Sequence, residues 1–418
     1  MGICAHGTIT HRDVALLVGM LGCMTKKDIN YFGMTNKRRK VRFGIKEHDR
    51  LSHFYIIGRT GTGKSTLLET LALQDIQNGR GICLVDPHGD LAERLIPHIK
   101  KYRPDDLIYL DAADINQPYG YNPLRRVRKE KVPLAVSGLM EAFKKLFDDA
   151  WGVRMEHILR NTLYALIEYG EATLPDVLRM LTDTGFQRAV LKKVENIQVR
   201  EFWEGEFPHY NPRYRQEMIG PIQNKIGAFL ADPRLYRIFT EPETDLHFRQ
   251  IMDAGKILIV NLAKGRLGED SANLLGALLV TTLNLAAFSR SELPEDRRHP
   301  FYLYLDEFQS FTTLSVANMV SELRKFKLGL VLAHQHLHQL VPDVRHAVLA
   351  NVGTIITFRV GPEDALILAR EFEPVFSVED LVNLPNHDIY LKLMIDGAPS
   401  APFSARTLHP DTIEEQIS

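Results

Sequence analysis

Short apolar runs bounded by turn residues recur along the chain and predict buried β-strands. The runs are continuous rather than alternating, which is typical of strands covered on both faces. Seven segments have this pattern: FYIIG (54–58), GICLVD (81–86), LIYLD (107–111), KILIVNL (256–262), FYLYLDE (301–307), LGLVLAHQ (328–335) and TIITFRV (354–360). Helical patterns lie between several of these runs, for example at 66–77 and 318–326. This alternation predicts a mainly parallel, doubly wound α/β sheet.

The segment from about 129 to 247 breaks this pattern, because it contains no run that indicates a strand. Its apolar residues recur at helical spacing, as in AVSGLMEAFKKLF (135–147) and MEHILRNTLYALI (155–167). The segment is too long for a single crossover connection. We therefore predict an inserted all-α domain. The predicted organisation is an N-terminal segment (1–50), a first core part (51–128), the insertion (129–247) and a second core part (248–418).

No apolar run is long enough to predict a membrane-spanning helix, which needs about 20 residues. The run at 14–24 is predicted to be an N-terminal helix packed on the body, and 272–288 to be a buried helix. The three cysteines are far apart in the sequence, which fits a reducing compartment. We therefore expect a cytoplasmic protein without an intrinsic membrane span.

Net charge gives no indication of the partner, since it is −1 for the 418 residues. Any surface that binds nucleic acid must therefore be local. Two basic runs stand out, NKRRKVR (36–42) and RRVRKEK (125–131). Such runs are more often solvated loops than binding sites, but the second lies at the predicted junction of the core and the insertion.

The segment GRTGTGKST (58–66) matches the phosphate-binding pattern G-x-x-x-x-G-K-[ST] in full. It follows a predicted strand and opens a predicted helix, whose N-terminus attracts negative charge. We expect Lys64 to reach the β- and γ-phosphates of ATP and the Ser65 hydroxyl to ligate Mg²⁺. The predicted nucleotide-binding residues are Gly58, Arg59, Thr60, Gly61, Thr62, Gly63, Lys64, Ser65 and Thr66.

Asp306 and Glu307 end a predicted apolar strand. We expect this strand to lie beside the one that leads into the phosphate-binding loop, with both carboxyl ends at the same edge. Asp306 is then suited to hold Mg²⁺ through water. Glu307 is suited to orient and deprotonate the attacking water. The alternative is an acidic strand end at a surface turn.

Gln335 ends the neighbouring predicted strand, where its amide is placed to sense the γ-phosphate. Three histidines, His334, His336 and His338, occur at the same place. No Cys, Asp or Glu lies nearby in the sequence to complete a set of ligands, which argues against a metal site.

Arg324 lies on the helix predicted between the Asp306–Glu307 strand and the Gln335 strand. One interpretation is a solvated helix face, since Lys325 and Lys327 flank it. The other is an arginine finger that enters the nucleotide site of a neighbouring subunit. Arg359, near the end of a later strand, is the second candidate for this role.

Six segments together resemble the conjugative coupling ATPases of type IV secretion, the TraD/TraG/TrwB-like group within the HerA/FtsK superfamily. They are GRTGTGKST, LVDPHGDL (84–91), YNPL (121–124), LAKGRLGEDSANLLGALL (262–279), YLDEFQSF (304–311) and LRKFKLGLVLAHQ (323–335). Many ATPases share the phosphate-binding loop and the acidic strand end. The combination of DPHGDL, KGRLG and RKFKLGLVLAHQ is more specific, and the resemblance covers about residues 50 to 400.

The resemblance implies a RecA-like P-loop NTPase core and a homo-hexameric ring that uses ATP and Mg²⁺ to move DNA, which we expect to be single-stranded. It implies a relaxase and components of the type IV secretion channel as partners, at the cytoplasmic face of the inner membrane. By correspondence of motifs it assigns nucleotide roles to Lys64, Ser65, Asp306, Glu307, Gln335 and Arg324.

Two other functions stay open on the sequence alone. Many coupling proteins begin with two membrane spans, and none is predicted here, so the chain is expected to be a shortened form, a naturally soluble member or a HerA-like motor outside secretion. A HerA-type ATPase that serves DNA end processing or defence is one alternative. A nucleotide-switched secretion assembly protein that does not move DNA is the other.

Overall fold

The computed structural model describes residues 28–36, 40–147, 151–312 and 314–414. Its largest element is an eleven-stranded sheet. The strands are β1 (Ile29–Thr35), β2 (Arg42–Lys46), β3 (Phe54–Ile57), β4 (Gly81–Asp86), β5 (Leu107–Asp111), β6 (Ile257–Asn261), β7 (Phe301–Leu305), β8 (Leu328–His334), β9 (Thr354–Thr357), β10 (Asp388–Lys392) and β11 (Phe403–Thr407). Their order across the sheet is β2-β1-β11-β10-β9-β3-β8-β7-β4-β6-β5. The predicted helix at 14–24 and part of the first basic run lie outside the described residues.

The α-helices are α1 (Glu47–Arg50), α2 (Lys64–Gln77), α3 (Asp90–Tyr102), α4 (Val132–Phe147), α5 (Val153–Tyr169), α6 (Asp176–Thr182), α7 (Thr184–Leu191), α8 (Ile197–Glu201), α9 (Pro212–Leu230), α10 (Pro233–Thr240), α11 (Phe248–Asp253), α12 (Lys264–Leu267), α13 (Glu269–Ser289), α14 (Leu314–Glu322), α15 (Pro342–Asn351), α16 (Pro362–Phe372), α17 (Val378–Val382) and α18 (Asp411–Glu414). A π-helical turn spans Phe202–Glu206. Single 3₁₀ turns include Phe308–Ser310 and Leu323–Phe326.

The centre of the sheet is parallel, as the continuous apolar runs predict. Strands β9, β3, β8, β7 and β4 pair in parallel, so their carboxyl ends lie at one edge. Every residue of these strands is buried, because helices cover both faces. The predicted α/β class and all seven predicted strands are confirmed. One expectation is wrong: the strand that ends at Asp306 is not beside β3, because β8 pairs with both and lies between them.

One side of the sheet is antiparallel, and the sequence patterns do not predict its four outer strands. Strands β2, β1, β11, β10 and β9 pair in antiparallel fashion from the edge inwards. Burial alternates along β2 and β10, so their sequences contain no continuous apolar run. Alternation of this kind belongs to strands with one half-exposed face.

The chain divides by contacts into two compact units. The first consists of residues up to 108, 251–259 and 290 onwards, and holds most of the sheet. The second consists of 109–250 and 260–289 and is mainly helical, but it also holds the short pair Tyr119–Gly120 and Thr244–Asp245 and the ends of β5 and β6. The predicted insertion, 129–247, lies within this helical unit, which also contains helix α13.

Helix α13 packs on α4 inside the helical unit. A Cβ at Gly138 would lie 2.6 Å from Cγ2 of Thr281, so this glycine permits the close approach of the two helices. Within the described residues, the stretch Glu269–Glu292 is long and apolar enough to cross a membrane, with a mean hydropathy of 1.5 over its most apolar window. Because 67% of that window is buried in the protein, and core helices pass the same test, this is weak support for a span.

A buried ion-pair cluster joins helix α2 to strand β7 in the first unit. The carboxylate of Asp75, on α2, accepts hydrogen bonds from Arg50 Nη2 at 2.8 Å and from the Tyr304 hydroxyl at 2.5 Å. Arg80 Nη1 lies 3.1 Å from the same carboxylate. Burial alone would raise the pKa of Asp75, but the facing Arg50 and Arg80 guanidiniums bring it below its ordinary value. The helix that begins at Lys64 is thus fixed to the strand that leads to Asp306.

Candidate nucleotide-binding site

The predicted phosphate-binding loop connects strand β3 to helix α2 at the carboxyl edge of the sheet. Gly61 and Gly63 have φ values of 75° and 117°, in the region that favours glycine. A Cβ at Gly63 would also lie 2.8 Å from Nδ1 of His387. The first turn of α2 contains no acidic residue. A glycine-rich turn before a helix N-terminus without acidic residues is an arrangement that binds phosphate.

Lys64, the first residue of α2, directs its ammonium group back to the loop. Its Nζ donates hydrogen bonds to the carbonyl oxygens of Gly58 at 2.6 Å and Arg59 at 3.2 Å. Lys64 is only 5% exposed, and burial lowers the pKa of its ammonium group. The nearby carboxylates of Glu307 and Asp306 oppose this shift. The lysine is therefore positioned at the loop whose phosphate ligand it is expected to contact.

Asp306 follows strand β7 at the same edge and is 8% exposed. Burial raises the pKa of its carboxyl group to about 7, and the nearby Glu307 and Asp86 carboxylates add to the shift. Lys64 acts in the opposite direction. The carboxylate of Asp306 and the hydroxyl of the half-exposed Ser65, in the first turn of α2, are hard oxygen donors, which suit Mg²⁺. The residues present therefore fit a magnesium nucleotide.

Glu307 has a left-handed backbone conformation, with φ of 46°, at the start of the turn Phe308–Ser310. Its Oε1 accepts a hydrogen bond from Gln335 Nε2 at 2.7 Å. Its Oε2 accepts one from Gln309 Nε2 at 2.8 Å. Strain at a non-glycine residue is often found at functional sites. Here the turn directs the carboxylate towards two amides.

Gln335 connects Glu307 to the phosphate-binding loop. The Thr60 hydroxyl donates a hydrogen bond of 2.7 Å to Gln335 Oε1, while Gln335 Nε2 donates to Glu307. The backbone N–H of Gly58 also donates to the carbonyl of His334, which precedes Gln335. Strand β8 lies between β3 and β7, so Gln335, which directly follows it, is placed between the two motifs.

His334 is fully buried beneath this bridge. Its Nε2 shares a hydrogen bond with the Tyr55 hydroxyl, and its ring lies 4.9 Å from the ring of Phe308. Burial lowers the pKa of His334 to about 3, so it is neutral at physiological pH. The other two histidines contact carboxylates that lie far away in the sequence: His336 is 3.2 Å from Asp364, and His338 is 3.5 Å from Glu363.

Asp86 ends strand β4 at the same edge of the sheet. Its carboxylate accepts hydrogen bonds from the backbone N–H groups of His88, Leu91 and Ala92 at 2.9, 2.9 and 3.0 Å. It therefore closes the turn of DPHGDL and holds the start of helix α3. The spacing of an aspartate before Pro and Gly is the signal that predicts such a turn.

Arg324 lies at the opposite edge of the sheet from the phosphate-binding loop. It is exposed in the turn Leu323–Phe326, which precedes β8, whereas Gln335 follows β8. The seven residues of the strand separate these positions by about 23 Å. His53 lies just before β3, at the same edge as Arg324. Burial lowers the pKa of His53, and the positive charge of Arg324 lowers it further. The structure therefore does not bring Arg324 to the site of its own chain.

Arg359 lies at the carboxyl end of β9, next to the phosphate-binding loop of its own chain. Its carbonyl accepts the N–H of Arg59 at 2.9 Å. Its guanidinium donates to Asn386 Oδ1 at 3.0 Å and to the Leu384 carbonyl at 3.3 Å. Arg359 is therefore held at the same edge of the sheet as the phosphate-binding loop.

Parallel strands thus bring most of the predicted site residues to one edge, while Arg324 lies apart from them. The fold and this edge define a P-loop NTPase with a RecA-like core. Residues 31–282, more than half of the chain, match the family described as the central domain of the helicase HerA. The chain belongs to this family, and its motif-based resemblance to the HerA/FtsK superfamily is confirmed.

Solved structures show the same fold at low sequence identity. The bacterial conjugative coupling protein TrwB, in an unbound form, is 18% identical with a TM-score of 0.63, over 86% of both chains. TrwB in complex with ADP and Mg²⁺ is 19% identical with a TM-score of 0.62, over 90% of this chain and 94% of that one. VirB4 of Thermoanaerobacter pseudethanolicus is 16% identical with a TM-score of 0.61, over 90% and 95%. No curated protein matches the sequence.

Proposed function

We propose that this protein is an ATPase that uses Mg²⁺ and couples ATP hydrolysis to the movement of DNA. The observation that carries the proposal is the chain of hydrogen bonds from Thr60 through Gln335 to Glu307, beside Lys64 and Asp306. It joins a phosphate-binding loop to a carboxylate that is placed to activate water. TrwB, which has this fold, binds ADP and Mg²⁺, and this supports the same ligands here.

Each residue then has a defined task. Lys64 leaves the loop carbonyls and binds the β- and γ-phosphates, while backbone N–H groups from Gly61 to the first turn of α2 surround them. Ser65 would hold Mg²⁺ directly and Asp306 would hold it through water, and the bound ion would supply positive charge next to the phosphates. Gln335 moves its amide from Glu307 to the γ-phosphate.

Glu307 accepts the proton of the attacking water. The water oxygen bonds to the γ-phosphorus, and the bond from that phosphorus to the β–γ bridging oxygen breaks. The electron pair leaves with ADP, and the proton lost by water resides on Oε1 of Glu307 until solvent removes it.

The place of Arg324 supports a ring. An arginine about 23 Å along the sheet from its own site cannot assist it, but it can assist the site of a neighbouring chain. We propose a homo-hexamer in which Arg324 completes the neighbouring active site. Arg359, which borders the loop of its own chain, is proposed to contact nucleotide in that chain.

The DNA, the partners and the location follow from the coupling-protein resemblance. We propose single-stranded DNA as the substrate, a relaxase and type IV secretion channel components as partners, and a position in the cytoplasm at the inner membrane. The segment 129–247 is proposed as a domain that contacts DNA or the secretion substrate, with its boundaries as predicted. The basic run at 125–131 lies at the start of this segment.

An ATPase assay with and without single- and double-stranded DNA tests the proposal, together with measurement of the mass of the assembly. We expect Mg²⁺-dependent hydrolysis, stimulation by single-stranded DNA and a hexamer on DNA. A hydrolysis rate that does not change when DNA is added, in a protein that does not bind DNA, would instead favour a nucleotide-switched assembly role.

A further inference from the structure

Glu307 is held by two amides that come from different parts of the fold. Gln335 donates to Oε1 at 2.7 Å and follows strand β8. Gln309 donates to Oε2 at 2.8 Å and lies two residues after Glu307, in the turn Phe308–Ser310. The sequence motifs indicate a role for Gln335 but none for Gln309.

The turn that carries Gln309 is fixed to the core. Phe308 is fully buried, and its ring lies 4.9 Å from that of His334 and 6.4 Å from that of Tyr55. The N–H of Ser310 donates to the Glu307 carbonyl at 2.9 Å. Glu307 and Gln309 therefore keep their relative position as long as this turn is intact.

Gln335 is in a different situation, because it is also bound to the phosphate-binding loop. Its Oε1 accepts the hydroxyl of Thr60, a residue of the loop that must surround the phosphates. A γ-phosphate in that loop offers anionic oxygen atoms that compete with Glu307 Oε1 for the Gln335 amide. Once Gln335 is drawn to phosphate, Gln309 remains as the donor from Glu307's own turn.

We propose that Gln309 is a positioning residue for hydrolysis: it keeps Oε2 of Glu307 fixed while Gln335 frees Oε1 to take the proton of water. This inference rests on the proposed ATPase function. A carboxylate held at one oxygen keeps its other oxygen in a constant place, whereas an unheld one samples several rotamers. The two glutamines thus have separate tasks, Gln335 as the donor that moves and Gln309 as the donor that stays.

Replacement of Gln309 by methionine tests this, since methionine has a similar length and shape but no N–H. We expect Gln309→Met to lower kcat about ten- to hundred-fold, the effect of a lost hydrogen bond to a charged group. KM and the Kd for ATP should stay at the wild-type values. Gln309→Glu, which replaces the donor by an acceptor, provides a second variant of the same size. Gln187→Met is the matched control, because it removes a single 2.7 Å amide hydrogen bond to Met180 in the helical unit.

A double-mutant cycle separates positioning from a general effect on structure. If Gln309 acts through Glu307, then adding Gln309→Met to Glu307→Gln should leave the residual rate of the single variant unchanged. A folded Gln309 variant with wild-type kcat overturns the inference. An equal further loss of rate in the Glu307→Gln background also overturns it. Full activity in Glu307→Gln overturns the inference as well, because Gln309 is proposed to act through that carboxylate. A wild-type protein without ATPase activity would instead refute the proposed function itself.

Discussion

Lys64 Nζ lies 2.6 Å from the carbonyl oxygen of Gly58, so the phosphate-binding loop closes on its own lysine. The contact compensates the charge of an ammonium group that is only 5% exposed. Phosphate oxygens are stronger acceptors than carbonyls, because they carry negative charge. The loop is therefore organised before nucleotide arrives, and binding exchanges one acceptor for another.

Lys64→Ala should weaken ATP binding about ten- to hundred-fold or more, because it removes charged hydrogen bonds to phosphate. Titration with a fluorescent ATP analogue measures this. Lys192→Ala, which removes an exposed lysine in the helical unit, is the control and should bind normally. Unchanged affinity in Lys64→Ala would show that the loop does not hold the phosphates.

Glu307→Gln should keep ATP binding and lower the hydrolysis rate about 10²- to 10⁴-fold, since an amide cannot accept the proton of water. Single-turnover assays with ATP in excess of Kd measure the chemical step directly. Glu379→Gln, at an exposed glutamate of helix α17, should hydrolyse ATP at the wild-type rate. A rate near that of wild type in Glu307→Gln would remove Glu307 from catalysis.

Arg324→Ala should bind ATP normally and turn it over about 10³- to 10⁵-fold more slowly, if Arg324 acts on the neighbouring site. Mixing gives the sharper measurement, since a Lys64→Ala subunit supplies an intact Arg324 and an Arg324→Ala subunit supplies an intact pocket. Mixed rings should regain activity that neither variant has alone. Lys325→Ala, the adjacent exposed cation, serves as the control. Mixed assemblies that stay inactive at every ratio would exclude action across the interface.

Asp306→Asn should make the nucleotide-free protein more stable at pH 8. Burial raises the pKa of Asp306 to about 7, so folding costs free energy once the carboxyl must ionise. This free-energy cost is fully present above pH 7, and it disappears as the pH falls towards 3.8, the ordinary pKa of an aspartate. We expect a gain on the order of 1–4 kcal/mol at pH 8 and a smaller one at pH 5. Denaturant unfolding at both pH values measures it, with the exposed Asp296→Asn as control. A gain that does not depend on pH would contradict this account.

The sequence predicts the parts of this protein in which burial is uniform. The parallel strands around β3 and β8 have no exposed face, so continuous apolar runs mark them. Strands β2 and β10 alternate buried and half-buried residues, and their short patterns resemble ordinary loops. Motifs locate Lys64, Asp306 and Gln335 because the chemistry of phosphate demands those residue types at strand ends.

Contacts between side chains of distant segments were beyond prediction. Nothing in the spacing of Gln309 indicates that its amide faces Glu307, since this depends on the left-handed backbone at residue 307. The order of β8 and β7 next to β3 also depends on tertiary pairing. The separation of Arg324 from Gln335, in contrast, follows from the predicted strand at 328–335 that lies between them.

The buried cluster of Arg50, Asp75 and Tyr304 places a constraint on how this sequence can diverge. Loss of Asp75 leaves the buried Arg50 guanidinium without its carboxylate, which costs about 3–5 kcal/mol, a large part of the stability of a typical domain. Loss of Tyr304 removes a buried hydrogen bond to the same carboxylate. Joint replacement by apolar residues of similar volume can be neutral or even stabilising. Descendants of this chain are therefore expected to keep the three residues together or to exchange them together, and the intermediate steps are the ones that selection removes.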